Sequence, residues 1–170
     1  IDSGGFSAVK MRVGVMDDTV NNSVARVRAA RAHLGEDVGL MVDAHGTFNA
    51  RDARRFARKV TECDLMWFEE PTSADDLRGQ AEVRQHTDIA IAAGESLFTR
   101  FDFRDAIEAR AIDILQPDPA ICGGITETWR IAALAEAHQL RLAPHLWGGA
   151  IMFAAGFHVC VASPCAFILE

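Results

Sequence analysis

The sequence lacks a basic excess, a long apolar run and any paired-cysteine motif, and each absence removes a class of function. A formal net charge of −7 offers nothing to neutralise a phosphate backbone or an anionic lipid surface, so nucleic acid and membrane are excluded as partners. The longest apolar run, "AIMFAAGF" at 150–157, falls far short of the roughly 20 residues that span a bilayer. No secretory signal is visible, and a chain that starts in mid-pattern is expected to lack its original N-terminus. Cys63, Cys122, Cys160 and Cys165 show neither CxxC spacing nor the density of a disulfide scaffold. They read as buried thiols of a reducing compartment, which predicts a cytoplasmic protein.

What the sequence has is a repeat. With 170 residues and 49% apolar content it suits one domain with a sizeable core. A short apolar strand, a polar residue at its end and an amphipathic helix recur along it. "SAVKMRV" precedes a helix over 19–34, with Gly35 as its stop, and "VGLMVDAHG" a helix over 50–63, with Asn49 or Thr47 as cap. "LMWFEEP", "IAIAAGES", "AIDILQPD" and "LRLAPH" precede helices over 74–85, 102–109, 126–138 and 149–162, and "CAFILE" reads as a last strand.

The strand ends carry Asp43, Glu69, Glu95, Asp118, His145 and Glu170, about every 25 residues, the even spacing of repeated strand–helix units. Reactive groups on six successive strand ends converge at the C-terminal mouth of a (β/α)8 barrel, whereas an open sheet spreads them along an edge. About seven parallel strands are expected, whereas a closed barrel needs about 250 residues. The expectation is therefore one domain, 1–170, forming most of a TIM-type α/β barrel cut at both ends, its first strand missing.

Asp43, Glu69 and Glu95 end three successive strands. Three carboxylates at one barrel mouth repel unless a cation sits among them, and all-oxygen ligation completed by water and substrate fits Mg2+, one per site, with Mn2+ as a substitute. Neighbouring side chains on a strand point to opposite faces, so Glu69 and Glu70 cannot share a site.

The ordered set "VKMRVG", "MVDAHG", "WFEEPT", "AAGES", "LQPDPAICGGIT", "PHLWGG" and "FILE" resembles the enolase superfamily, in its mandelate racemase-like branch. The resemblance implies removal of the proton next to a substrate carboxylate, with the resulting enediolate stabilised by Mg2+. It puts the metal ligands on Asp43, Glu69 and Glu95 and a His–Asp dyad on His145 and Asp118, and it leaves Glu70 to meet a basic or hydrogen-bonding partner. It also implies a separate N-terminal capping domain, a small carboxylate substrate and a homo-oligomeric full-length form. Where the family usually has Lys-x-Lys, this sequence has Lys10-Met11-Arg12. A guanidinium stays protonated at any working pH, so Arg12 cannot serve as a base; it can bind the substrate carboxylate or help a hydroxyl leave, with Lys10 assisting electrostatically. With one base missing, a two-base racemase is disfavoured. A dehydratase manages with one base and an acid, for which His45 is placed two residues after Asp43. Glu170 matches the family's last-strand acid, which hydrogen-bonds the enediolate. The leading expectation is an acid-sugar dehydratase yielding a 2-keto-3-deoxy acid. The alternatives are a sugar-lactone cycloisomerase, a racemase or epimerase, and a noncatalytic incomplete barrel that binds or assembles. Trp129 and Phe157 are expected in core or interface, and Trp147 along the substrate pocket.

Overall fold

Each short apolar run forms a strand because its side chains can be buried on a sheet face, and each following polar turn caps a helix. The computed structural model describes residues 5–170 and has six strands, each followed by a helix. The strands are β1 (Ala8–Arg12), β2 (Gly39–Asp43), β3 (Leu65–Glu69), β4 (Ile91–Ala93), β5 (Ile114–Leu115) and β6 (Arg141–Leu142). The helices are α1 (Val20–Leu34), α2 (Ala50–Lys59), α3 (Leu77–Arg84), α4 (Thr99–Glu108), α5 (Ile125–Ala137) and α6 (Ala150–Ala162). This is the strand–helix repeat of the (β/α)8 fold, present in part. The chain divides into two compact units, one ending at Ile91 and the other starting at Ala92.

In the first unit β1, β2 and β3 pair in parallel and in chain order. The Thr19, Asn49 and Asp76 side chains accept from backbone N–H groups of the first turns of α1, α2 and α3, so Asn49 rather than Thr47 is the second cap. Val9, Met11, Leu40, Val42 and Phe68 join Val24, Val27, Phe56 and Val60 in the core. Phe56 lies at its centre, its ring centroid 5.7 Å from that of Phe48 and 5.1 Å from that of Phe68. Replacing Phe56 with alanine is expected to destabilise this unit by about 3–5 kcal/mol, read from the urea midpoint at unchanged slope.

The β2–β3 register shifts once: Leu40 faces Leu65, and Met41 faces Trp67. Met66 is the extra residue of this bulge and stays 38% exposed between buried neighbours. The slip decides which side chains of β3 share a face with β2 beyond that point.

In the second unit β4, β5 and β6 pair in parallel, again in chain order. Phe103, Ile112, Leu115, Ile131 and Leu142 fill its core. The expected seventh strand is corrected. Segment 165–170 lies beside β6 through one bridge, Leu142 to Ala166, and four backbone bonds, without a continuous ladder. Leu142 donates to Cys165 O and accepts from Phe167 N, but the next rung needs an N–H that Pro144 lacks, and Glu170 N bonds Pro144 O out of step. The fifth helix starts at Ile125, one residue before the expected start, with Gly124 at its N-cap. Its φ of 86° is one that glycine adopts without strain. Trp129 and Phe157 are not core: they are 48% and 45% exposed.

Candidate active site

In the first unit, register places four expected residues on one sheet face. Arg12 pairs with Asp43 and Asp43 with Glu69, and residues opposite one another in adjacent strands project to the same side. Lys10, two residues before Arg12, shares that side. Contacts follow from this. The Lys10 ammonium donates to Glu69 Oε1 at 2.7 Å, and Arg12 Nε lies 3.3 Å from Asp43 Oδ2. Trp67, also two residues away along its strand, donates its indole N–H to Glu69 Oε2 at 2.9 Å. Glu69 is fully buried and Asp43 nearly so. Burial, then the charge of Glu69, pushes the Asp43 carboxyl above its ordinary range, with Lys10, Arg12 and the His45 backbone N–H opposing.

Glu70 leaves the strand on the other tack, as expected, and meets a basic partner: His45 Nδ1 lies 3.5 Å from Glu70 Oε2. Both residues hold positive φ, 48° for His45 and 38° for Glu70, a sparsely populated conformation for residues other than glycine. The turn at His45 is braced by Gly46 N on Glu70 O, at 2.8 Å, and by His45 N on Asp43 Oδ1, at 2.6 Å. Thr47 Oγ1 donates to Ala44 O and accepts from Val15 N, which ties this turn to the one after β1. Gly14 allows that approach, since a Cβ there would stand 2.2 Å from Thr47 Oγ1.

The second unit assembles Glu95, Asp118 and His145. Asp118 Oδ2 sits 2.9 Å from His145 Nδ1, while its Oδ1 accepts from Ala120 N at 2.7 Å, so the carboxylate is aimed from its own loop. As an acceptor, Asp118 keeps the proton on Nδ1 and leaves the Nε2 lone pair outward. His145 Nε2 lies 3.6 Å from Glu95 Oε2. The backbone under Glu95 requires glycine at Gly94: φ is 136°, and a Cβ would stand 2.6 Å from the Phe103 ring. Glu170 is held by three groups. Gln116 Nε2 donates to its carboxylate, its N–H reaches Pro144 O, and its own carbonyl accepts from Leu146 N.

The expected site residues therefore lie at or just beyond a strand end, except Lys10, which lies within β1, and Glu170, which lies beside β6. Lys10, Arg12, Asp43 and Glu69 meet in one unit, where His45 and Glu70 form a second pair; Glu95, Asp118 and His145 meet in the other. Trp147 is 83% exposed. All four cysteines are free thiols, and burial pushes each above the usual thiol range. No helix among the described residues is long and apolar enough to cross a membrane.

Three groups escaped the sequence reading. Trp67 looked like core, and its bond to Glu69 could have been found only from their i, i+2 spacing on a strand. Gln116 carried no signal. Glu127 is buried on α5 and binds Arg100 and Arg130; its i, i+3 spacing to Arg130 was the one available sign. Its carboxyl is lowered to about 2, chiefly by the Arg100 backbone N–H and then by both guanidinium groups, against the opposing effect of burial.

Residues 1–170 match the family model described as Enolase C-terminal domain-like. The chain is 43% identical over 143 residues to 3,6-anhydro-alpha-L-galactonate cycloisomerase of Streptomyces coelicolor, across 84% of this chain and 39% of that protein. It is 39% identical over 165 residues to D-galactonate dehydratase of Ralstonia pickettii, across 94% of this chain and 43% of that protein. The crystal structure of an enolase from Bradyrhizobium complexed with magnesium and mandelic acid aligns with a TM-score of 0.91 at 33% identity, over 99% of this chain and 45% of that one. The chain spans less than half the length of these relatives, and its strands are an incomplete (β/α)8 barrel.

Proposed function

The chain belongs to the enolase superfamily, in its mandelate racemase-like branch, and from that premise we propose that the protein is a Mg2+-dependent hydro-lyase converting an acid sugar to a 2-keto-3-deoxy acid. Asp43, Glu69 and Glu95 are assigned as the metal ligands. The donor set fits a hard divalent cation: every donor is a carboxylate oxygen, and burial, then repulsion by the charge of Glu69, raises the Asp43 carboxyl, a repulsion that a cation relieves. When bound, Mg2+ serves as a Lewis acid toward the substrate carboxylate as negative charge develops there.

The chain's own residues do the rest. His145, oriented by Asp118, takes the α-proton on Nε2. The C–H electron pair moves into the bond between Cα and the carboxylate carbon, giving an enediolate that Glu170 hydrogen-bonds. It then returns to form the Cα–Cβ double bond as the β-hydroxyl departs, protonated to water by His45 or by the newly charged His145. The enol so formed tautomerises to the 2-keto acid. Arg12 binds the substrate carboxylate, and Lys10 contributes positive charge.

The observation that favours dehydration is the His45–Glu70 pair, a second imidazole held by a carboxylate beside Asp43, while a permanently charged Arg12 stands where a second base would be. A library of acid sugars incubated with the full-length protein and Mg2+ tests this. The expected product reacts with semicarbazide and carries one solvent deuteron when formed in heavy water. A semicarbazide-reactive product isomeric with its lactone or anhydro sugar acid substrate, formed without loss of water, would establish the cycloisomerase reading, which the Streptomyces coelicolor relative favours. Failure to bind any divalent cation would overturn both and leave a noncatalytic binding module.

A further inference from the structure

Two loops of the second unit must hold their geometry for His145 to be flanked correctly. One runs from Glu95 to the start of α4, the other from Asp118 to the start of α5. They are joined at two places. Thr99 N donates to Cys122 O at 3.1 Å, and Cys122 N in turn donates to Asp118 O at 2.8 Å. At the second join, Glu127 in the first turn of α5 accepts from the Arg100 backbone N–H at 2.9 Å, and from Arg100 Nη1 on both oxygens at 2.7 and 2.9 Å.

This second join directly follows a strained residue, the one whose N–H makes the first. Thr99 has φ of 53°, and a β-branched side chain in the left-handed region is a conformational outlier that persists only where its surroundings over-determine it. It opens α4 four residues after Glu95 and immediately before Arg100. Phe98, the N-cap, supplies no side-chain cap; Phe101 N donates to Thr99 Oγ1 at 3.4 Å, and the Thr99 and Arg100 N–H groups reach acceptors outside the helix. Glu127 is one of them. It is 7% exposed and gives Arg100 a backbone acceptor and a bidentate carboxylate together.

We propose that Glu127 is a positioning residue: by gripping the backbone and guanidinium of Arg100 it fixes the strained start of α4, and so sets the loop that presents Glu95 to His145. Arg130, the other partner of Glu127, sits on the same helix as Glu127 and plays no part in joining the loops. The inference rests on the reading of Glu95, Asp118 and His145 as one site, but its test does not require turnover.

The experiment compares wild type, Glu127→Ala, Glu127→Gln and Arg130→Met in the full-length protein. The first readout is the nitrogen-15 spectrum of His145, with the water-exchange rate of its Nδ1 proton. Glu127→Ala is expected to speed that exchange at least tenfold, Glu127→Gln to restore part of the protection through its remaining acceptor oxygen, and Arg130→Met to leave it at the wild-type value. The second readout is Mn2+ affinity by electron paramagnetic resonance, expected to fall about 10- to 100-fold in Glu127→Ala alone, the usual size of an outer-sphere effect on a metal site. A Glu127→Ala variant with a lowered melting temperature but wild-type His145 exchange would overturn the inference, because Glu127 would then serve stability only. So would an Arg130→Met variant that matches Glu127→Ala in His145 exchange. If wild type binds no Mn2+, the metal reading fails by itself, and the His145 signal still decides the role of Glu127.

Discussion

Replacing His145 with asparagine is expected to abolish turnover and the exchange of the substrate α-proton in heavy water, while Mg2+ affinity stays within a few-fold of wild type. Asparagine can still hydrogen-bond Asp118, so the loop geometry around the 2.9 Å contact is kept. What disappears is the only nitrogen of the pair that offers a lone pair, and proton transfer by a positioned base contributes about 10²–10⁴-fold to rate. Because His45 stays in place, the variant separates the two imidazoles: retained α-exchange without dehydration would transfer the role of base away from His145. Changing Asp118 to asparagine should lie between wild type and that limit. The ring would keep its place but lose the acceptor that holds the proton on Nδ1, so the fall would be in turnover far more than in substrate affinity. Deuterium incorporation followed by proton NMR under saturating substrate measures both variants directly.

The fold was legible because its units repeat. A polar residue closing each apolar run set the period, and the helix caps Thr19 and Asn49 are the residues that helix-capping chemistry selects. Strand alternation parted Glu69 from Glu70, whereas the shared face of Asp43 and Glu69 depends on the register slip. What escaped the sequence was set by contacts between distant segments. Met66 reads like any other apolar strand residue, yet the local register makes it a bulge. The last strand failed to form a ladder because Pro144, which looked like part of a strand end, has no N–H for the next rung. Trp129 and Phe157 fit helical periodicity but lie largely exposed, since periodicity gives spacing and not what covers a face. Glu127 and Arg100 are 27 residues apart, and no local pattern joins them.

Replacing Glu69 with glutamine is expected to give the largest loss of metal affinity, about 100-fold or more, and with it the loss of turnover. The variant separates stability from ligation. Both Glu69 oxygens accept from donors, Oε1 from the Lys10 ammonium and Oε2 from the Trp67 indole. A glutamine can offer its carbonyl oxygen to one of them only, and its NH2 then faces the other in a buried place, which costs about 1–3 kcal/mol. Against this, removing the Glu69 charge relieves the repulsion that raises the Asp43 carboxyl. In the metal-free protein these effects oppose, so the melting temperatures of the two forms should differ modestly. Adding Mg2+ breaks the balance. A cation at 100 times its dissociation constant stabilises the wild type by about 2.7 kcal/mol, whereas a variant with 100-fold weaker binding gains about 0.4 kcal/mol at the same concentration. Calorimetry in chelator and then in excess Mg2+ should therefore show the gap widening in favour of the wild type by about 2 kcal/mol. A gap of equal size in both conditions would mean that Glu69 does not ligate the ion and serves the fold alone.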